Sequence, residues 1–131
     1  MASLFTRIIQ GEIPCHKIAE NEHFLAFLDV FPLVHGHVLV VPKKETDYIF
    51  DMEDAELAAM LVFAKKVAIA QKAAVPCKRI GVAVIGLEVP HAHVHLVPMN
   101  FANDVNFTQS KIKPTAEELS AMAERIKSKL V

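Results

Sequence analysis

Cysteine is nearly absent from this chain. Cys15 and Cys77 are the only two, far apart and without a C-x-x-C pair. That argues against a disulfide framework and suits a reducing cytoplasm. No apolar run approaches the roughly 20 residues needed to cross a bilayer, although 53% of the residues are hydrophobic. The opening stretch, Met1-Ala2-Ser3-Leu4-Phe5-Thr6-Arg7, lacks the charged-then-apolar layout of a secretion signal. Without that signal, the glycosylation sequon Asn106-Phe107-Thr108 is discounted. The formal net charge is only −1, so the chain has no field for general nucleic-acid binding. There is no internal repeat and no low-complexity tract. The 131 residues suit one domain with a real core.

Histidine, by contrast, is concentrated. Three of the seven stand within five residues, in His91-Ala92-His93-Val94-His95-Leu96-Val97, ahead of Pro98. Strict alternation predicts a β-strand with two unlike faces. Side chains at i, i+2 and i+4 share a face, about 6.6 Å apart along the strand. Ala92, Val94 and Leu96 can enter a core while the three imidazoles form a row on the other side. Such a row has three readings. It can be a histidine-rich solvent face, since histidine is ordinary on surfaces. It can be a zinc site, since alternate strand histidines can share one ion. Or it can do phosphoryl chemistry: a neutral imidazole is a nucleophile at phosphorus, and its neighbours can bind phosphate oxygens or pass a proton.

The rest of the chain reads as a small α+β domain. Ser3 caps a short helix through Phe5, Ile8 and Ile9, which Gly11 and Pro14 end. A hairpin follows, from Cys15 to Ala19 and from His23 to Leu28. Its turn lies at Glu20-Asn21-Glu22, where asparagine suits a left-handed backbone. His16 and His23 read as exposed strand residues and His35 as loop surface. Val38 to Val41, closed by Pro42, reads as a strand buried on both faces and central in its sheet. The run Asp51-Met52-Glu53-Asp54 opens a long helix whose core stripe is Leu57, Met60, Leu61, Ala64, Val67 and Ala68, and Pro76 ends it. Ile80 to Ile85 is a second buried strand, joined by a short link to the histidine strand as its antiparallel neighbour. After Pro98 a polar loop, able to reach over the site, leads to a capping box at Thr115 and Glu118 and a last helix with Leu119, Met122, Ile126 and Leu130. The expected fold is a mainly antiparallel sheet of about five strands, with the long helix on it and short N-terminal and C-terminal helices.

His91 to Val97 also resembles, at every position, the signature of the histidine triad (HIT) family, which alternates three histidines with apolar residues. Two further blocks match in the family's order: Ile8-Ile9-Gln10-Gly11-Glu12-Ile13-Pro14, and Ala26-Phe27-Leu28-Asp29-Val30 followed by Gly36 to Lys44. The resemblance is greatest to the Hint-like nucleoside phosphoramidase branch. It implies a HIT-like domain over 1–131, with 101–131 as a C-terminal loop and helix extension. It also implies a cytoplasmic homodimer that pairs the long helix and a sheet edge. The implied activity is hydrolysis at the α-phosphate of purine nucleotide conjugates, with no metal or other cofactor, no nucleic acid and no membrane.

By the same resemblance His93 is the nucleophile, its Nδ1 proton held by the His91 carbonyl. His91 and His95 bind the phosphate or leaving group, and His37 is the outlying fourth histidine. The base occupies a slot of Phe5, Ile8, Ile13, Phe27 and Val30, and Asp29 holds the ribose. For the apolar members plain core packing is the competing reading, and for Asp29 a turn before Phe31-Pro32. The loop before the triad departs from the family. Gly86-Leu87-Glu88-Val89-Pro90 is shorter than usual, lacks the asparagine, and sets Glu88 where a serine is usual. Glu88 and Val89 are therefore expected near the phosphate mainly through their backbone. Some relatives carry a C-x-x-C zinc pair before the first helix; Ser3 to Thr6 has none. Dinucleoside polyphosphate hydrolysis and non-catalytic nucleotide binding remain as alternatives. Transferase relatives replace the last triad histidine by glutamine, and His95 speaks against that branch.

Overall fold

The N-terminal helix forms where its cap signal lies. In a computed structural model that describes residues 2–131, α1 spans Leu4–Ile9 and Ser3 Oγ accepts the Thr6 N–H at its start. The hairpin comprises β1 (Lys17–Glu20) and β2 (Phe24–Leu28). Its turn works differently from the expectation. Among the described residues only glycines have positive φ. Asn21 turns the chain with its side chain instead, accepting the backbone N–H groups of His23 and Phe24 through Oδ1.

The remaining elements are β3 (Val38–Pro42), α2 (Asp54–Ala74), β4 (Arg79–Ala83), β5 (Val94–Met99) and α3 (Ala116–Lys127). The five strands form one antiparallel sheet in the order β1-β2-β3-β5-β4. β3 is central and buried throughout, as its unbroken apolar run predicts. One face is covered by α2 and α3. Phe24, Ala26, Leu28, Val38, Val40, Val94 and Leu96 meet Met60, Phe63, Val67, Leu119 and Ile126 there. Each such fully buried aliphatic or aromatic side chain contributes roughly 1.5–3 kcal/mol. The opposite face carries α1, through Phe5 on Leu25, Phe27, Leu39 and Val41.

Three elements differ from the sequence reading. α2 begins at Asp54, after a short 3-10 turn at Ile49–Asp51. Its buried stripe runs through Met60, Phe63, Ala64, Val67, Ala70, Gln71 and Ala74, while Leu61 is 48% exposed. Leu61, Val62 and Phe63 are consecutive apolar residues, so periodicity alone fits more than one face. β4 is an edge strand, half exposed and ending at Ala83, not a buried strand to Ile85. Its link to β5 is an open loop over 84–93, longer than the short link read from the sequence. β5 itself starts only at Val94, because its ladder with β3 begins at Val40–Val94 and the preceding Ala92 N–H goes to Thr46 O at 2.6 Å.

Gly36 and Gln71 fix the approach to β3. Gly36 has φ +88°, and a Cβ there would come within 2.9 Å of Val75 Cγ2. Gln71 is fully buried, and its Nε2 donates to Gly36 O at 2.8 Å and to Leu96 O at 2.9 Å. The helix thereby holds the backbone on either side of the histidines.

Candidate active site

Alternation along 92–96 sorts the side chains as the pattern predicts. Ala92, Val94 and Leu96 enter the core under α2, and His93 and His95 face the side of α1. The row is not a solvent face: His91, His93 and His95 are 0%, 7% and 8% exposed. The His93 and His95 rings lie 4.8 Å apart, and the edge contact of Phe5 with His93 is 4.9 Å.

Hydrogen bonds fix the ring protons. A carbonyl only accepts, so His93 Nδ1, 2.7 Å from His91 O, carries its proton there. That leaves His93 Nε2 with a free lone pair. Leu33 N–H donates to His37 Nδ1 at 3.1 Å, so the His37 proton is on Nε2. It is donated to His95 Nδ1, 2.9 Å away. His95 then carries its own proton on Nε2. The arrangement thus offers one bare nitrogen and one N–H donor on adjacent rings.

His91 departs from its expected place. Its Nε2 donates to Pro42 O at 2.8 Å and its Nδ1 lies 2.8 Å from Ser3 Oγ. With both nitrogens occupied by protein, the ring has none for a phosphate. His91 supports His93 through its carbonyl. His37 likewise stands behind His95.

A pocket of about 530 Å³ opens beside these rings. Phe5, Ile8, Ile13, Phe27, Asp29, Val30, Glu88 and Val89 all line it, together with His93 and His95. Phe5 and Phe27 are core residues that also form pocket wall. Asp29 lines the pocket and also serves the turn. Its Oδ1 accepts Phe31 N–H at 2.9 Å in a turn, and its Oδ2 lies 3.8 Å from His37 Nε2. Glu88 is an exposed residue of the pocket rim. His23 and His35 are exposed and His16 is half-buried, and none of them lines this pocket.

Burial keeps His37, His91 and His95 neutral. It lowers His37 to about 4, helped by the charges of Lys111 and His93. It lowers His95 to about 3, helped by His37, His93 and Lys111. His91 is also lowered by burial, with Pro42 O and Glu45 pulling the other way. Burial raises the Asp29 carboxyl, against the Phe31 N–H and the Lys111 charge.

Two wall residues had no motif to announce them. The loop after β5 crosses the pocket and is tied by Ile112 N–H to Pro32 O at 3.0 Å. Phe107 meets His95 edge-on at 4.7 Å, and Lys111 lines the same end. The polar composition after Pro98 predicted a loop able to reach the site, but not these side chains.

Asp29, His37 and His95 bring one ligand atom each within 4.8 Å of one another. A cation on His37 Nε2 would move that ring's proton to Nδ1, against the Leu33 N–H. The shared-ion reading of His91, His93 and His95 would break both bonds of the His91 ring. Either metal would therefore require the hydrogen bonds to be rebuilt.

Known proteins share this architecture. Residues 10–102 match the family model of the HIT domain. The adenosine 5'-monophosphoramidase hnt1 of Schizosaccharomyces pombe is 34% identical over 135 residues, covering 99% of each chain. An uncharacterized HIT-like protein of Mycoplasma genitalium is 36% identical over 118 residues, covering 82% of this chain and 84% of its own. The crystal structure of a Hit-like protein from Bartonella henselae described as involved in cell-cycle regulation superposes with a TM-score of 0.86 at 28% identity, over 98% of this chain and 96% of that one. With the three histidines, the sheet order and the matched length in agreement, this chain belongs to the HIT family.

Proposed function

We propose that the protein is a hydrolase that cleaves the bond between the α-phosphate of a purine nucleotide and an amine, through a nucleotidyl-His93 intermediate. The observation that carries this reading is the His93 ring: its Nδ1–H is bound to His91 O at 2.7 Å, and the ring lines a pocket of nucleotide size. The His93 Nε2 lone pair attacks phosphorus. The P–N bond breaks, and its electron pair leaves with the amine, which takes a proton from solvent. Water then attacks the same phosphorus, the Nε2 electron pair returns to the ring, and a proton is released to solvent. The sum is hydrolysis to a nucleoside monophosphate and the free amine.

His95 Nε2–H donates to the phosphate or to the departing nitrogen, and His37 holds His95 in that tautomer. The base lies between Phe5, Ile8, Ile13, Phe27 and Val30, and the ribose hydroxyls reach Asp29. No metal takes part. The Schizosaccharomyces pombe relative, an adenosine 5'-monophosphoramidase, supports the choice of an adenosine phosphoramidate as substrate. The experiment is mass spectrometry of protein quenched during turnover of adenosine 5'-phosphoramidate. A nucleotide adduct on His93, absent in His93→Ala, is expected; turnover without any histidine adduct would reject the mechanism.

One observation favours a second reading. Lys111 adds a cation at the pocket end beside His95, which suits the longer anionic leaving group of a dinucleoside polyphosphate. We also propose a homodimer. Val62 and Ile69 of α2 are each 57% exposed and Val82 of edge strand β4 is 60% exposed, a pattern that suits a covered face.

A further inference from the structure

A chain of hydrogen bonds runs from the protein surface to His93. Glu45 lies in the loop after β3. Its Oε1 accepts the Ser3 N–H at 2.8 Å and the Thr6 hydroxyl at 2.6 Å. Ser3 Oγ reaches His91 Nδ1 at 2.8 Å, and Thr6 Oγ1 is 3.3 Å from the same nitrogen. Because His91 Nε2 gives its proton to Pro42 O, Nδ1 is an acceptor and the Ser3 hydroxyl donates to it. The His91 carbonyl then receives the His93 Nδ1 proton. Next to Glu45, Thr46 O takes the Ala92 N–H. One short segment therefore grips both the start of α1 and the backbone between the first two triad histidines.

We infer that Glu45 is a positioning residue for His93, acting through Ser3, Thr6 and the fixed ring and carbonyl of His91. The inference concerns the tautomer of His93, and its kinetic consequence rests on the hydrolase reading above. A neutral imidazole free in water favours the proton on Nε2, the form in which Nε2 has no lone pair to attack with. The attacking form needs an acceptor held at Nδ1, and that acceptor is a backbone oxygen whose residue is pinned at both ring nitrogens. Ser3 also caps α1, which carries Phe5 against His93. The carboxylate thus ties the wall of the base slot to the residue that sets the nucleophile. Glu45 is itself 40% exposed on its side chain and does not line the pocket, so its removal leaves the core intact.

The test compares Glu45→Ala and Glu45→Gln in the full chain. Side-chain nitrogen NMR reads the His91 and His93 tautomers without substrate, and kcat and KM are measured with adenosine 5'-phosphoramidate. In Glu45→Ala, His93 is expected to become a mixture of tautomers, with kcat down about tenfold and KM within about twofold. Glu45→Gln keeps an acceptor oxygen for Ser3 and Thr6 and is expected to stay near wild type in both readouts. Thr6→Val, which preserves shape but cuts one link, is expected to shift the tautomer in the same direction. His93 retaining its Nδ1 proton in Glu45→Ala, with only KM raised, would mean that Glu45 merely steadies α1 and would overturn the inference. If the wild-type protein shows no turnover, the hydrolase reading fails while the tautomer measurement still decides this one.

Discussion

His37 Nε2 lies 2.9 Å from His95 Nδ1, and the direction of that bond is set by a backbone amide, because Leu33 N–H occupies the other nitrogen of His37. A proton added to either ring has no acceptor within the pair. The two groups are held at about 4 and about 3, against 6.5 for a free histidine. Between those values the unfolded chain binds more protons than the folded one. Stability is therefore full above the ordinary histidine range and falls as pH drops toward the folded values. Urea unfolding is expected to show a lower midpoint at about pH 5 than at about pH 7, a range above the titration of ordinary carboxylates. The double variant His37→Asn with His95→Asn should flatten that dependence.

Lys111 separates the two substrate readings. Replacing it by alanine removes a cation from the end of the pocket that Phe107 covers. For a diadenosine polyphosphate, KM is expected to rise about tenfold, the scale of one lost charge-assisted bond. For adenosine 5'-phosphoramidate the change should stay under about twofold. Equal changes for both substrates would remove Lys111 from leaving-group recognition.

Gln71 is the polar residue of an otherwise apolar helix face, and its two bonds hold backbone carbonyls at Gly36 and Leu96. Gln71→Leu leaves both without this donor inside the core. Such a loss costs about 2–4 kcal/mol. Denaturant unfolding should detect it, and substrate KM should change little because the residue lies on the far side of the sheet.

Val62 and Ile69 stand two turns apart on α2 and share its exposed side. Placing glutamate at both is expected to convert the proposed dimer to a monomer, read by sedimentation equilibrium. An unchanged mass, whether monomer or dimer in the parent, would remove this face from assembly.

How far the site could be read in advance depended on whether contacts were local. Alternation told correctly which of residues 92–96 face the core, because strand geometry enforces it from Val94 on and the Ala92 N–H bond to Thr46 O continues it. It could not tell that His91 turns both ring nitrogens away from the pocket. That follows from the ladder starting at Val94 and from Ser3, 88 positions distant in sequence. The caps at Ser3 and Thr115 were legible because capping is a contact over three residues. The buried side of α2 was not fully legible, since that helix has apolar residues on several sides and only packing selects Phe63 over Leu61. Phe107 and Lys111 left no periodic signal, being placed by a loop anchored on Pro32.

Part of the pocket wall lies outside the stretch that the family model matches. Phe5 and Ile8 precede residue 10, and Phe107 and Lys111 follow residue 102. In the proposed hydrolase, part of the choice of cargo is therefore written apart from the imidazoles that react. The two ends can be rewritten at Phe5, Ile8, Phe107 and Lys111, by evolution or by an engineer, while Ser3 keeps its bond to His91. Chimeras that swap only those ends with a relative should inherit its preference along with them.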